Sequence, residues 1–244
     1  MKAMVLCAGL GTRMGELTHD VPKPMLPVAG HPLLAYVLGH LKRQGVTRLV
    51  LNLHFRPEII RGYFRDGARW GLELTYSEEP ALLGTAGGVK QVESAFRDEP
   101  EFLVHYGDVL TDQDFVALQR FHRDRRALAT LLVHPRARSN SVVKLDAAGR
   151  IVAFLERPAE AERQGIESPW VNSGVYVLSP EILAHVPPNT ACDWPRDIFT
   201  KLVGGGRLFG FPLTGYRCAV DSPTRLAEVR TALSTGRCQI EPLR

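Results

Sequence analysis

Cysteine is scarce in this sequence and never paired. Cys7, Cys192, Cys218 and Cys238 form no Cys-x-x-Cys motif, which argues against a zinc site and fits a reduced, cytoplasmic setting. Cys7 lies in an apolar stretch, where a buried thiol is the ordinary reading. No apolar run approaches the roughly 20 residues of a membrane span, so no membrane partner is expected. Met1 to Leu6 runs straight into a glycine loop, so no secretory leader is expected. A charge excess of one sign is also missing. Thirty basic residues against 26 acidic ones leave a net charge of +4, enough to favour anionic ligands but too little and too scattered for nucleic acid. The one basic run, Arg123, Arg125 and Arg126, reads as a solvated helix face. Internal repeats, low-complexity linkers and hexapeptide repeats are absent, which speaks against a solenoid module. The glycine run Gly204–Gly206 is too short to divide domains.

What is present is ordinary in bulk. With 244 residues, 45% hydrophobic and 23% charged, the chain suits one large α/β domain. Strands are expected at 2–7, 48–53, 72–77, 102–106 and 127–133. They alternate with helices at 32–44, 56–64, 85–96 and 112–124, Gly45 and Pro57 serving as stop and start signals. Such alternation predicts a mostly parallel mixed sheet with helices on both faces, a Rossmann-like three-layer sandwich. Ligands collect at the carboxyl ends of such strands, where the glycine turn and Asp108 fall. The second half reads differently. Strands at 142–145 and 151–156 flank Ala148-Gly149 as a hairpin. A strand at 171–178, helices at 180–184, 195–202 and 224–233, and a strand at 208–212 follow.

The chemistry-bearing residues cluster early. Leu6-Cys7-Ala8-Gly9-Leu10-Gly11-Thr12-Arg13-Met14 is followed by Pro22-Lys23-Pro24. Glycines let backbone amides approach phosphate oxygens. Arg13 adds a planar cationic fork, and two prolines stiffen the backbone that carries Lys23. No third glycine in register completes a dinucleotide fingerprint, and no Gly-Lys-Ser/Thr completes a Walker loop. Other positions keep two readings. Asp108 is a metal ligand or a helix cap or turn former. Glu156 taken alone is a surface carboxylate. Asn172, inside an apolar strand, needs a backbone or a ligand partner. His54 and His105 receive no role.

The glycine turn with Pro22-Lys23-Pro24 resembles the signature of the sugar-1-phosphate nucleotidyltransferase family. The similarity extends through Leu83-Gly84-Thr85-Ala86-Gly87-Gly88, Gly107-Asp108-Val109, Glu156-Arg157-Pro158, Val171-Asn172-Ser173-Gly174-Val175-Tyr176 and Gly215-Tyr216. The resemblance implies a glycosyltransferase-A-like nucleotidyltransferase fold. It implies a single domain, with 1–135 as nucleotide-binding half and 136–244 as sugar-phosphate-binding half. It implies transfer of a nucleoside monophosphate from an NTP to a sugar 1-phosphate, or to a sugar-like cyclitol 1-phosphate, with release of pyrophosphate. Arg13, Lys23 and Asp108 are then catalytic. Ala8, Gly9, Gly11, Thr12, Arg13, Gly84 and Thr85 contact the nucleotide. Gly87, Glu156, Arg157 and Asn172 contact the sugar phosphate. Mg²⁺ is the cofactor, at Asp108.

Two departures from the family pattern stand out. Arg157 replaces the usual lysine, a fork in place of a point charge. Ala219 stands at the family's late metal-binding aspartate, and Asp221 follows two residues on, along the same strand face. Asp221 is therefore a replacement metal ligand or the N-cap of the helix near Thr224. GTP is favoured over UTP or dTTP, because Leu83–Gly87 and Asp193–Phe199 resemble the mannose- and heptose-1-phosphate guanylyltransferase branch. A non-catalytic nucleotide-sugar sensor is a competing reading, motivated by Ala219. A nucleotide-binding oxidoreductase is disfavoured by the missing glycine and ribose-binding acid. Assembly into a homo-oligomer is left open.

Overall fold

The computed structural model describes residues 1–136, 139–159, 162 and 166–244. They form two compact units. The first comprises Met1–Leu82, Val104–Asp114 and Thr214–Arg244, the second Leu83–Leu103 and Phe115–Leu213. The units interleave along the chain, so neither coincides with the expected halves 1–135 and 136–244.

The first unit is built on a parallel ladder. Strand Lys2–Leu6 pairs with Arg48–Leu53, which pairs with Glu73–Glu78. Ala3, Met4 and Val5 are fully buried, so consecutive residues on opposite strand faces are both covered, as parallel sheets require. Strand Phe102–Tyr106, whose Val104–Tyr106 end belongs to this unit, runs beside Lys2–Leu6. The helix Leu33–Arg43 buries Leu33, Leu34, Val37, Leu38 and Leu41, the apolar positions that predicted it. A second core gathers Met14, Leu26, Val28, Leu33, Leu110, Val220, Leu226 and Val229.

One early expectation is corrected at Asp112. The helix read from Asp112 begins at Phe115. Val109–Thr111 is instead a strand antiparallel to Arg217–Ala219. The Asp112 carboxylate accepts from the Tyr216 and Gln239 amides. A three-residue strand carries too little periodicity to be seen in sequence.

The second unit is mixed. Ser141–Leu145 and Ile151–Glu156 form the expected antiparallel hairpin. Trp170–Leu178 lies antiparallel to Ala129–Pro135, and Leu208–Pro212 lies parallel to the same strand. The ladder of Trp170–Leu178 breaks between Asn172 and Tyr176, where Gly174 takes φ +78°, so this strand carries a bulge. The helix expected over 85–96 is Gly84–Gln91. Val92 leaves helical geometry at φ −114°, and a 3₁₀ turn follows at Glu93–Ala95. The helix expected over 195–202 is wound as a π turn at Trp194–Phe199, followed by Thr200–Leu202. Its aromatic residues explain why it holds. Phe199 packs against Trp194 (5.7 Å, stacked), Tyr176 (4.9 Å) and Phe154 (6.0 Å), centroid to centroid.

Candidate active site

In the first unit the residues singled out by sequence are brought together by the core beneath them. Arg13 precedes Met14, Lys23 opens the 3₁₀ turn that leads into Leu26, Asp108 precedes Val109-Leu110, and Asp221 follows Val220. Met14, Leu26, Leu110 and Val220 share one apolar cluster. Each functional side chain therefore projects from a backbone anchored by its buried neighbour.

The glycine turn starts where strand Lys2–Leu6 ends. Asn52 fixes it: its Oδ1 accepts from the Cys7 amide (2.8 Å) and its Nδ2 donates to Glu79 (2.7 Å). Ala8 is buried, while Gly9, Thr12 and Arg13 are exposed. Gly11 is left-handed (φ +68°), and a Cβ there would lie 3.2 Å from Lys23 Cβ and from Thr18 Cγ2. Its carbonyl accepts from the Met14 amide and the Thr18 hydroxyl. Glycine is thus required to lay the turn against Lys23. Gly107 donates to the Leu6 carbonyl (2.9 Å), which sets Asp108 beside the same turn.

Lys23 Nζ forms an ion pair with Asp108, and the two side chains are only 13% and 18% exposed. Arg13 Nη1 lies 3.5 Å from Asp221 Oδ2. The Val220 amide donates to the Asp108 carbonyl (2.8 Å), tying the Asp108 and Asp221 backbones together. The capping reading of Asp221 is corrected: Ser222 caps helix Pro223–Ser234, its hydroxyl accepting from the Arg225 amide. The Asp221 carboxylate is directed to Arg13 instead. Ala219 lies in the short ladder opposite Val109.

Among the described residues no three His, Cys, Asp or Glu side chains group as a metal cage. One carboxylate beside a glycine turn, with a second held by Arg13, fits a magnesium ion carried on substrate phosphates and waters, the usual habit of that ion. It does not fit an ion built into the protein. The Asp221 carboxylate has Arg13 as its ion-pair partner in this arrangement.

The second unit holds the other predicted residues. Glu156 ends the hairpin two residues beyond Phe154. Its carboxylate is 16% exposed, and among the described residues its ion-pair partner is Arg157, with Nε 3.9 Å away. No hydrogen bond to that carboxylate is found among the described residues. Burial pushes Glu156 up to about 7; Arg157 and Arg196 oppose the shift and Asp193 adds to it. Arg157 is left-handed (φ +51°) and exposed, and its amide donates to the Asn140 carbonyl.

The described residues give these positions partners within the chain. Asn172 is satisfied by its own chain: Nδ2 donates to Tyr176 Oη (2.8 Å) and Oδ1 accepts from the Gly174 amide (3.2 Å). Thr85 gives both its amide and its hydroxyl proton to Asp193 Oδ1 (3.0 and 3.1 Å), so neither is a free donor for a nucleotide. A Cβ on Gly84 would meet the Cys192 carbonyl oxygen at 2.6 Å, and one on Gly87 the Thr190 oxygen at 2.6 Å. Packing within the chain is by itself enough to require glycine at both positions. Asn52 escaped the sequence reading, and Asp193 entered it only as part of a branch-like segment, with no role for its carboxylate. Each is a polar residue in an apolar context, and that was the signal available. His105 is buried and lowered to about 4 by that burial, a structural histidine as expected.

Comparison with known proteins bears on these motifs together. The family model described as nucleotidyl transferase matches residues 2–211. A UTP–glucose-1-phosphate uridylyltransferase of Synechocystis is 36% identical, over 86% of this chain and 57% of that protein. A mannose-1-phosphate guanylyltransferase of Mycobacterium tuberculosis is 34% identical, over 91% and 61%. The chain thus spans about three-fifths of the length of these relatives. The crystal structure of HddC from Yersinia pseudotuberculosis superposes with a TM-score of 0.80 at 21% identity, covering 95% of this chain and 99% of that one, which shows the fold alone. No helix among the described residues is long and apolar enough to cross a membrane. With its glycine turn, Lys23–Asp108 pair and Glu156 segment all within the matched span, this chain belongs to the sugar-1-phosphate nucleotidyltransferase family.

Proposed function

We propose that the protein transfers a nucleoside monophosphate from an NTP to a sugar 1-phosphate. An oxygen of the sugar phosphate attacks the α-phosphorus, and the bond to pyrophosphate breaks. The attacking oxygen is already ionised, so no general base is required. The work is positioning and charge neutralisation. The observation that carries this reading is the pairing of Lys23 with Asp108 against the glycine turn, with Arg13 on the same core. Amides of the Gly9–Arg13 turn receive triphosphate oxygens. Lys23 neutralises the α-phosphate, and Arg13 the leaving pyrophosphate. Magnesium, held by Asp108 and the triphosphate, supplies further positive charge when bound. Glu156 accepts hydrogen bonds from sugar hydroxyls, and Arg157 attracts the sugar phosphate.

For the base, GTP is the reading favoured by the segments Leu83–Gly87 and Asp193–Phe199, which are hydrogen-bonded to each other. The 36% identical uridylyltransferase supports UTP on equal terms. Pyrophosphate release across GTP, UTP and dTTP with glucose, mannose, heptose and cyclitol 1-phosphates tests both levels. Turnover with one GTP pair at least tenfold above UTP supports the finer reading, and a UTP preference reverses it. Absence of turnover with every pair and Mg²⁺, alongside tight nucleotide-sugar binding, would instead assign a sensor.

A further inference from the structure

In the second unit the strand that ends at Glu156 lies beside two others whose register can be followed residue by residue. Phe154 lies opposite Val143, and Val143 lies opposite Trp170 of the next strand. Phe154 packs on Phe199 (6.0 Å), so this sheet face is the one that covers the aromatic core. Residues two positions apart on a strand share a face. Two positions on from Phe154 is Glu156, which lies opposite Ser141. Two positions on from Trp170 is Asn172, whose amide donates to Ser141 Oγ (2.9 Å). Glu156, Ser141 and Asn172 therefore form one polar row across three strands, next to the row of Phe154, Val143 and Trp170.

The three members differ in what they have left to offer. The side-chain amide of Asn172 is taken at both ends, by Tyr176 and by the Gly174 amide. Ser141 is buried, and its oxygen accepts from the Asn172 amide. Among the described residues its hydroxyl proton finds no acceptor. Glu156, as shown above, finds no hydrogen-bond donor there. Directly opposite residues of an antiparallel pair carry their Cβ atoms about 4.5–5.5 Å apart. A buried donor and a mostly buried acceptor are thus neighbours that nothing joins, and each costs free energy while it stays unpaired. Ser141 also borders a cavity of about 310 Å³, which gives the row an open side.

A hydroxyl suits such a pair, because it donates with its proton and accepts on its oxygen at the same time. We propose that Ser141 is a specificity-determining residue that, together with Glu156, holds one hydroxyl of the sugar 1-phosphate. The sugar hydroxyl gives its proton to the Glu156 carboxylate, and its oxygen receives the proton of Ser141. The proposal rests on the nucleotidyl-transfer reading above. A substrate without that hydroxyl leaves both protein groups unpaired, and a site built to bond a hydroxyl rejects the analogue that lacks it.

The test uses the full chain, the sugar 1-phosphate that turns over and its monodeoxy analogues, with kcat/KM as the readout. At one deoxy position the parent is expected to lose at least tenfold. Ser141→Ala is expected to lose about tenfold on the full substrate and less than twofold on that analogue, with KM for the NTP within twofold of the parent's. Glu156→Gln is expected to lose activity on the full substrate and little on the same analogue. A merely structural role for Ser141, through the Asn172 amide, would lower both substrates alike. Ser141→Cys, close in size and weak as a donor, serves if Ser141→Ala does not fold, and the same hydroxyl-dependent loss is expected of it. Equal losses on full and deoxy substrates, or different deoxy positions for Ser141 and Glu156, overturn the proposal while the transfer reading stands. A parent chain that turns over no pair of NTP and sugar phosphate overturns both.

Discussion

The two units solve opposite electrostatic problems. In the first, an aliphatic core supports charges that are already paired: Lys23 with Asp108, Arg13 with Asp221. In the second, an aromatic core supports a carboxylate, Glu156, with no hydrogen bond from any described residue and one cation at 3.9 Å. A polyanionic triphosphate competes for cations, and a protein can hold those cations in place with its own carboxylates until the substrate arrives. A sugar hydroxyl is a neutral donor, and what it needs is an acceptor left unfilled. Paired charges on one side and an unfilled acceptor on the other are what phosphate chemistry and hydroxyl recognition respectively ask for.

The comparison can be broken first at the aromatic core. Phe199→Ala removes the ring that Trp194, Tyr176 and Phe154 share, and should destabilise the protein by about 3–5 kcal/mol in urea denaturation. A loss under 1 kcal/mol would mean that the aromatic cluster does not support Glu156 and Asp193. On the paired side, Arg13→Ala should lower kcat/KM roughly 100-fold, in line with loss of one charged donor to a developing anion. Its effect on melting should be negligible, because exposed ion pairs add little. Equal losses in activity and stability would reverse the assignment.

Glu156 offers a test with a defined sign. Burial raises it to about 7, so it is protonated below that pH and ionised above. The ionised form is the stronger acceptor of sugar hydroxyls. Sugar-phosphate kcat/KM should therefore rise as much as tenfold from pH 6 to pH 8, and Glu156→Gln should flatten the profile. Folding reports the same group independently. A carboxyl raised on folding contributes most at pH below its unfolded value, and that contribution is lost as pH rises through about 7. Glu156→Gln should therefore raise Tm at pH 8 and leave it nearly unchanged at about pH 4. The smallest effect is expected at Ser222, where alanine removes the helix cap and costs about 1 kcal/mol, read as a shift in denaturation midpoint.

Much of this molecule is legible in sequence, and the legible parts share a cause. The strand Lys2–Leu6, the helix Leu33–Arg43 and the hairpin at Ala148-Gly149 are specified by residues close together in the chain. So is the glycine turn. What escaped depends on partners far away. The short strand Val109–Thr111 exists because Arg217–Ala219 pairs with it. The packing of segment 190–193 against Gly84, Thr85 and Gly87 could not be read from the motif they form. Asp221 offered two readings, metal ligand or cap, and the structure supplied a third, a counter-ion for Arg13.

The claim beneath the whole account is that the positive charge of Lys23, held on the core beside Asp108, is what neutralises the reacting phosphate. Lys23→Gln keeps an amide donor toward Asp108 and deletes the charge. Single-turnover formation of pyrophosphate, at saturating NTP, Mg²⁺ and sugar 1-phosphate, should fall about 10²–10³-fold in this variant. A rate within threefold of the parent protein would contradict the account.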